Sequence, residues 1–345
     1  MGLKPSDDQY WQSIAKLQKK HEDKGESCIR KQSLPNPDDS FFVDIIIPAY
    51  NAEKYIVRCA QSVFRQKTKF PFRVILVDDG SKDHTGELID RYRNRENALI
   101  IHQDNRGLSG ARNTGLLYSQ SKYILFLDSD DLLGENAVES LVSRCDKEHA
   151  DIVAGSYCNF RGIPLLRRKH SQAEGIIHSW LDDLTGHACT KIYRRELFDK
   201  IQFPEGYWFE DSLMHQVVFP QARTIFGIRD VVYLRRMNPN SITQKAEFSS
   251  KSLDSLWVTL RLMEDRRELG LDTDDLYYRY LLRQTRLNHV RLKGMERIIQ
   301  EAAFTVMAVR LNKLYPEMHA QATEEAEIEK TIKEYSFEQF EKLCI

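Results

Sequence analysis

No window of this chain approaches the roughly 18 to 20 uninterrupted apolar residues that a membrane-crossing helix needs. Charge of one sign is also missing. Fifty Lys and Arg against 51 Asp and Glu leave a formal net charge of −1, so bulk electrostatics call for neither nucleic acid nor a strongly anionic membrane. Cysteine is sparse: Cys28, Cys59, Cys145, Cys158, Cys189 and Cys344 are scattered without a C-x-x-C pair. That pattern suits free thiols in a reducing compartment better than a disulfide framework or a zinc site. There is no internal repeat and no low-complexity tract. The start "MGLKPSDDQYW" has no hydrophobic signal region, so export is not expected and the cytoplasm is the expected location. Gly2 and Ser6 meet a loose myristoylation pattern, which in so short a match reads better as chance.

Glycine is absent from one informative place. A dinucleotide-binding fold wants G-x-G-x-x-G at its first strand-to-helix turn, and here that turn reads "PAYNAEKY". "RGLSGARNTG" holds Gly107, Gly110 and Gly115, but after the third strand and at the wrong spacing. No G-x-x-x-x-G-K-[ST] occurs either. Any bound phosphate is therefore held chiefly by a metal and by cationic side chains. Arg112, at the start of the helix after that loop, is the nearest candidate.

What is present is an alternation. "DDQYWQSIAKLQKKHEDK" reads as a polar amphipathic helix with Tyr10, Ile14 and Leu17 on one face, and "SLPNPDDS" as a linker. From Phe41, short apolar runs alternate with helix-length amphipathic ones. The strands are "FFVDIIIPAYN", "FRVILVDDGS", "ALIIHQDN" and "YILFLDSDD", with "DIVAGSYCNF" a fifth. Strands apolar on both faces with helical crossovers predict a mostly parallel α/β sheet, covered by helices on both faces. Right-handed crossovers would bring the carboxyl ends of those strands to one edge. After Phe160 the pattern loosens, with a helix near "IHSWLDDLTG", another at "RRELFDKI", and short strands at "TIFGI" and "DVVYLRR". From Ser249 onward four helical stretches are expected, the last being "EEAEIEKTIKEYSFEQFEKL". The expected organisation is an N-terminal helix and linker (1–40), an α/β domain (41–245, divided into 41–155 and 156–245) and a C-terminal helical extension (246–345).

Ligands of open parallel sheets bind beyond the strands' carboxyl ends. The first strand delivers Pro48, Tyr50 and Asn51, the second Asp78 and Asp79, the fourth Asp128, Ser129, Asp130 and Asp131. Crowded carboxylates raise one another's pKa, and a divalent cation removes that strain. Mg²⁺ or Mn²⁺ takes one or two carboxylates and completes its shell with phosphate oxygens and water, so a D-x-D suits a metal that also holds a substrate diphosphate. Asp78 and Asp79 lie where a base or ribose could be hydrogen-bonded, and Tyr50 offers a ring for a nucleobase to stack on.

The ordered motifs "IIIPAYNAEKYI", "VILVDDGSKDHT", "NRGLSGARNTGL" and "YILFLDSDDLL" resemble the nucleotide-binding half of family-2 glycosyltransferases with the GT-A fold. The likeness is close over about Asp44 to Leu133. It extends loosely to Thr243 through "TKIYRRELF", "YWFED" and "RRMNPNSIT". The resemblance implies an inverting transfer of a sugar from a nucleoside-diphosphate sugar, with UDP favoured, to a saccharide or lipid-linked acceptor. It implies that Pro48, Tyr50, Asp78, Asp79, Arg112, Asp128 and Ser129 serve the nucleotide. Asp128 and Asp130 would hold Mn²⁺ or Mg²⁺, with Asp130 the more direct ligand. Lys191, Arg236 and Ser241 would reach the diphosphate. Glu210 and Asp211 would supply the catalytic base, with Asp211 chosen, and Tyr207 and Trp208 would face the acceptor. Some relatives place a metal-binding histidine after this region, where this chain has Arg235 and Arg236, so no histidine ligand is expected. The helical tail is open to two roles, homodimerisation and peripheral association with the inner membrane face. Two rivals remain: a non-catalytic sugar-nucleotide-binding module, and an aspartyl-nucleophile phosphatase, whose D-x-D should open its domain rather than follow three strand–helix units.

Overall fold

The computed structural model describes residues 4–38, 40–162, 167–237, 249–271, 273–321 and 323–344. The chain forms two compact units. One comprises Ser27–Gly206 and Leu213–Asn238; the other comprises Met1–Glu26, Tyr207–Ser212 and Pro239–Ile345. The partition differs from the sequence-based one in two places. The N-terminal helix, α1 (Asp7–Lys20), groups with the C-terminal helices, and the "YWFED" segment does too.

The larger unit is built on ten strands: β1 (Val43–Ala49), β2 (Phe72–Asp78), β3 (Ala98–His102), β4 (Tyr123–Phe126), β5 (Leu132–Leu133), β6 (Ile152–Phe160), β7 (Arg167–His170), β8 (Gly175–Ile176), β9 (Lys191–Arg194) and β10 (Ile225–Arg236). Their order is β3-β2-β1-β4-β9-β6-β10-β5, with β7 on β6 and β8 on β10. β1 pairs in parallel with β2 and β4, and β2 with β3. β9 is antiparallel to both β4 and β6, so β6 keeps the direction of the first four strands. The helices are α2 (Ile56–Phe64), α3 (Thr85–Asp90), α4 (Gly107–Leu117), α5 (Ala137–Glu148), and the short α6 (Trp180–Asp183) and α7 (Phe219–Gln221). Mostly parallel strands sandwiched by these helices make the GT-A-like α/β architecture expected from the pattern.

All seven positions of β1 and all four of β4 are buried, as strands covered on both faces require. One of them is charged. Asp44 is fully buried and accepts from Arg73 (2.8 and 3.1 Å), Ser119 Oγ (2.8 Å) and the amides of Gln120 and Ser121 (both 2.9 Å). It thereby pins the loop that feeds β4 to the start of β1. At the middle of β1, α4 lies so close that a Cβ on Gly115 would stand 2.3 Å from Ile46 Cγ2. Only glycine permits that approach.

The second unit is helical. α1 packs on α10 (Arg297–Leu314), beside α8 (Asp254–Glu268), α9 (Asp275–Arg291), α11 (Thr323–Lys333) and α12 (Phe337–Leu343). Tyr10, Ser13 and Leu17 are the buried face of α1, with Ile14 at its half-buried margin. Its first turn carries a capping box, in which Ser6 and Gln9 bond each other's backbone amides. The last predicted helical run divides into α11 and α12 around Tyr335, whose φ of 52° ends one helix before the next begins. No helix among the described residues is long and apolar enough to cross a membrane.

Candidate active site

The parallel registers decide what converges. Ala49 is level with Asp78, Asp78 with His102, and Ile46 with Phe126, so the carboxyl ends of β1 to β4 share one edge. β2 and β4 flank β1, which sets the two acidic clusters two strand spacings apart, about 10 Å. Tyr50, half exposed at the end of β1, stands between them.

The loop after β1 is laced to the loop after β2. Asn51, in the left-handed region at φ 49°, donates its amide to Ser81 Oγ (3.0 Å), and its side chain accepts from Lys82 N (2.8 Å). Ala52 N donates to Thr85 Oγ1 (2.7 Å). Gly80 turns at φ +71°, where an added Cβ would meet Asn105 N at 2.9 Å. These ties fix the rim on which Pro48, Tyr50, Asp78 and Asp79 sit.

The Asp78 and Asp79 carboxylates are well compensated. Asp78 accepts from Ser81 N (3.1 Å) and pairs with His102 Nδ1 (3.0 Å), whose Nε2 meets Asp90 (3.1 Å). Asp79 is buried and accepts from Gln103 Nε2 (2.7 Å) and Arg106 N (2.8 Å). Burial nonetheless raises its pKa above the ordinary carboxylate value, against the lowering effect of those donors. His102, Gln103 and Arg106 were missed in the sequence reading. The polar "HQDN" ending the third strand was their signal, by the rule that picked out the ends of the first, second and fourth.

The fourth-strand cluster is built otherwise. Arg112, on α4 and only 1% exposed, donates to Asp128 Oδ1 (3.1 Å) and sits 5.1 Å from the Phe203 ring centre. Asp131 turns inward, accepting from Tyr233 Oη (2.7 Å) and Arg236 N (2.5 Å). Burial, then the neighbouring Asp130 and Asp128 charges, push its pKa up to about 8. Burial and the same three aspartates also push the Cys59 thiol well up. Asp128, Ser129 and Asp130 remain partly exposed at the rim. Arg236 closes the group: its Nε donates to Asp130 O (2.8 Å), and its guanidinium lies 4.8 and 4.6 Å from the Tyr55 and Phe160 ring centres.

Residues 44–207 match the family model described as Glycosyl transferase family 2. This chain carries a family 2 glycosyltransferase domain. It is 29% identical over 261 residues to glycosyltransferase GlyG of Streptococcus pneumoniae serotype 4, covering 70% of this chain and 86% of that protein. It is 41% identical over 236 residues to the minor teichoic acid biosynthesis protein GgaA of Bacillus subtilis, covering 63% of this chain and 53% of GgaA. Among solved structures, S. aureus TarS in complex with UDP-GlcNAc shares the fold, with a TM-score of 0.70 at 22% identity over 88% of this chain and 90% of that one.

One expected diphosphate contact, Lys191, turns its ammonium to its own loop. Lys191 is buried (1% exposed), and its ammonium donates to the oxygens of His187 (3.0 Å), Thr185 (3.2 Å) and Thr190 (3.2 Å). It is spent on its own loop, which Thr190 enters at a φ of 73°, and is not presented to solvent. Ser241 lies outside the described residues. Tyr207, Trp208, Glu210 and Asp211 belong to the helical unit. There Trp208 N donates to the buried Asp254 (2.9 Å), Tyr207 Oη bonds Asp23, and Lys251 sits 5.0 Å from the Trp208 ring centre. Phe209 takes φ 65° under the Arg291 guanidinium, 3.9 Å away, immediately before Glu210 and Asp211.

A divalent cation fits the donor set at the rim. Asp128 and Asp130 offer oxygen only, and the cluster's surplus negative charge already registers at Asp131 and Cys59. Among the described residues no three His, Cys, Asp or Glu side chains form a protein-only metal site. An ion here would therefore complete its shell with substrate phosphates and water.

Proposed function

We propose that the protein is an inverting glycosyltransferase that moves a sugar from a nucleoside-diphosphate sugar, with UDP the favoured nucleotide, to a hydroxyl of a saccharide acceptor. Its place would be in cell-surface polysaccharide or glycoconjugate synthesis. The observation that carries this reading is the shared edge of β1, β2 and β4, which sets a stacking ring between two aspartate clusters within a family 2 domain. The UDP-GlcNAc held by TarS, a protein of the same fold, supports the choice of UDP.

In this reading Tyr50 stacks on the base, while Asp78 and Asp79 hold base and ribose through geometry fixed by His102, Gln103 and Arg106. Arg112 orients Asp128 from the buried side. Asp128 and Asp130 would hold Mn²⁺ or Mg²⁺, which when bound supplies Lewis-acid neutralisation of the leaving diphosphate. Arg236, clamped between two rings, adds fixed positive charge at the same end. Asp211 takes the proton from the acceptor hydroxyl as its oxygen attacks the anomeric carbon, passing through an oxocarbenium-like state; Glu210 neighbours it, and Tyr207 and Trp208 offer rings to the acceptor.

The test is incubation with Mn²⁺ and a panel of nucleotide sugars, following free nucleoside diphosphate. Slow release by wild type and loss of about 10³-fold in transfer by Asp211→Asn are expected. Binding without turnover would mark a non-catalytic module, and inorganic phosphate release a phosphatase. Retained transfer by the variant would remove Asp211 as the base.

A further inference from the structure

Beside the acid rim, and sharing Arg236 with it, the sheet unit holds a cavity of about 490 Å³. Arg58 and Ser62 line it from α2, Arg65 from the position that caps that helix, Leu132 and Phe160 from the sheet, and Arg236 from the end of β10. Among the described residues, no carboxylate lines it. Arg58 and Arg65 lie seven positions apart, so both project from one helical face about 10 Å apart along the axis. Both are exposed, and among the described residues neither makes an ion pair. Arg58 and Arg65 thus face the concavity with no carboxylate beside them in its described lining, while Arg236 reaches it from the edge of the aspartate cluster. Arg236 is the fixed member, held by the rings of Tyr55 and Phe160 and by its bond to Asp130 O.

Ser62 shows that the cation is the recognition element. Its hydroxyl donates to Cys59 O (2.6 Å) and accepts from Leu133 N (3.0 Å), which leaves it occupied. The floor is apolar, formed by Leu132, Phe160 and the arginine stems. Guanidinium groups arrayed over apolar walls suit a phosphate carried on a carbon chain: the fork pairs with two phosphate oxygens while the stems cover methylenes. Arg236 and Leu132 also place the cavity next to Asp130 and Asp131, where the sugar would leave its diphosphate.

We propose that this cavity binds a phosphate group of the acceptor, so that the acceptor of this enzyme is a phosphodiester-bearing chain and not a neutral glycan. The proposal rests on the transferase reading for the word acceptor, but its binding half stands apart from catalysis. The probe is a soluble oligo(glycerol phosphate), titrated calorimetrically into wild type and into the double variant Arg58→Ala/Arg65→Ala. A neutral oligosaccharide and phosphatidylglycerol vesicles are run in parallel.

Binding of the phosphodiester oligomer at low salt, weakened about ten-fold in the double variant and weakened by added salt, is expected. UDP affinity and slow donor hydrolysis should match wild type, and Arg58→Lys/Arg65→Lys should recover part of the loss. Equal binding by the double variant, no binding by wild type, or binding to vesicles alone would overturn the assignment. A wild type that binds the oligomer but never turns over a nucleotide sugar would sink the transferase reading instead, and leave the anion site standing.

Discussion

Replacing Asp44 by Ala tests what ties the amino-terminal ends of β1 and β4 together. The carboxylate is fully buried and accepts five hydrogen bonds, two from Arg73, one from a serine hydroxyl and two from backbone amides. Arg73 keeps a partner in Tyr118 O (2.9 Å) and is partly exposed, so its loss is discounted. The buried amides of Gln120 and Ser121 have no such recourse. Each unsatisfied buried donor costs about 1 to 3 kcal/mol, and breaking a buried pair from one side costs about 3 to 5. These penalties overlap, so about 4 kcal/mol is the expected loss, a large share of the 5 to 15 typical of a folded domain. Native-state hydrogen exchange of peptides from β1 and β4 reads the sheet unit separately from the helical one. Faster exchange throughout both strands is expected, with Asp44→Asn intermediate because it keeps one acceptor oxygen. A loss below about 1 kcal/mol in Asp44→Ala would show that water or rearrangement satisfies those donors, and the argument from burial would fail.

Other outcomes follow from the same contacts. Arg112→Gln should weaken UDP binding in the presence of Mn²⁺ by about 10- to 100-fold, because the partner that orients Asp128 is gone; calorimetric titration checks this, and unchanged affinity would remove Arg112 from the site. Burial lowers the His102 pKa, but its hydrogen bonds to the Asp78 and Asp90 carboxylates outweigh it, and the net value lies above 6.5. Its contribution is thus full below pH 6.5 and is lost as pH rises through the raised folded value. Wild type should therefore exceed His102→Gln by about 0.5 to 1 kcal/mol, discounted because the ring is 39% exposed, in acid-side unfolding curves, with the gap closing above neutrality. A gap independent of pH would refute the linkage.

The parts of the fold that could be read from the sequence are those where burial on both faces writes itself as an apolar run. β1, β2 and β4 end in acids or in "PAYN" because their last residues leave the core, so the rim was visible as a change of polarity. β9 was not, since four residues, "KIYR", carry no period, and its insertion between β4 and β6 is decided by tertiary pairing. β10 was read as two strands because the register shifts between Ile228 and Val231 push Arg229 and Asp230 out to solvent in mid-strand. The loop contacts of Lys191 were hidden for a related reason. Residue type announces a cation, but only the positions of the surrounding carbonyls tell whether its hydrogens face a ligand or its own loop. Asp44 was hidden in plain sight, one acid in "VDIII" whose five donors come from two separate stretches of chain, Arg73 and Ser119 to Ser121.

Phe209 offers a sharper test of where function was bought with stability. A bulky side chain at φ 65° costs about 1 to 2 kcal/mol, and such conformations persist only where neighbours enforce them. Here the enforcers are visible: Asp254 holds the Trp208 amide, Arg291 covers the ring, and Ser212 N donates to Phe209 O (3.0 Å). The kink immediately precedes Glu210 and Asp211. Phe209→Gly relieves the backbone and forfeits the ring contact, worth about 0.5 to 2 kcal/mol, so unfolding free energy should change little. With Asp211 as the proposed base, transfer should fall by about ten-fold or more, with acceptor KM less affected than kcat, because a freed backbone would let the carboxylate wander from the hydroxyl that this role requires it to approach. Unchanged kcat would mean that the strained turn serves packing of the helical unit and has no part in orienting the acid pair.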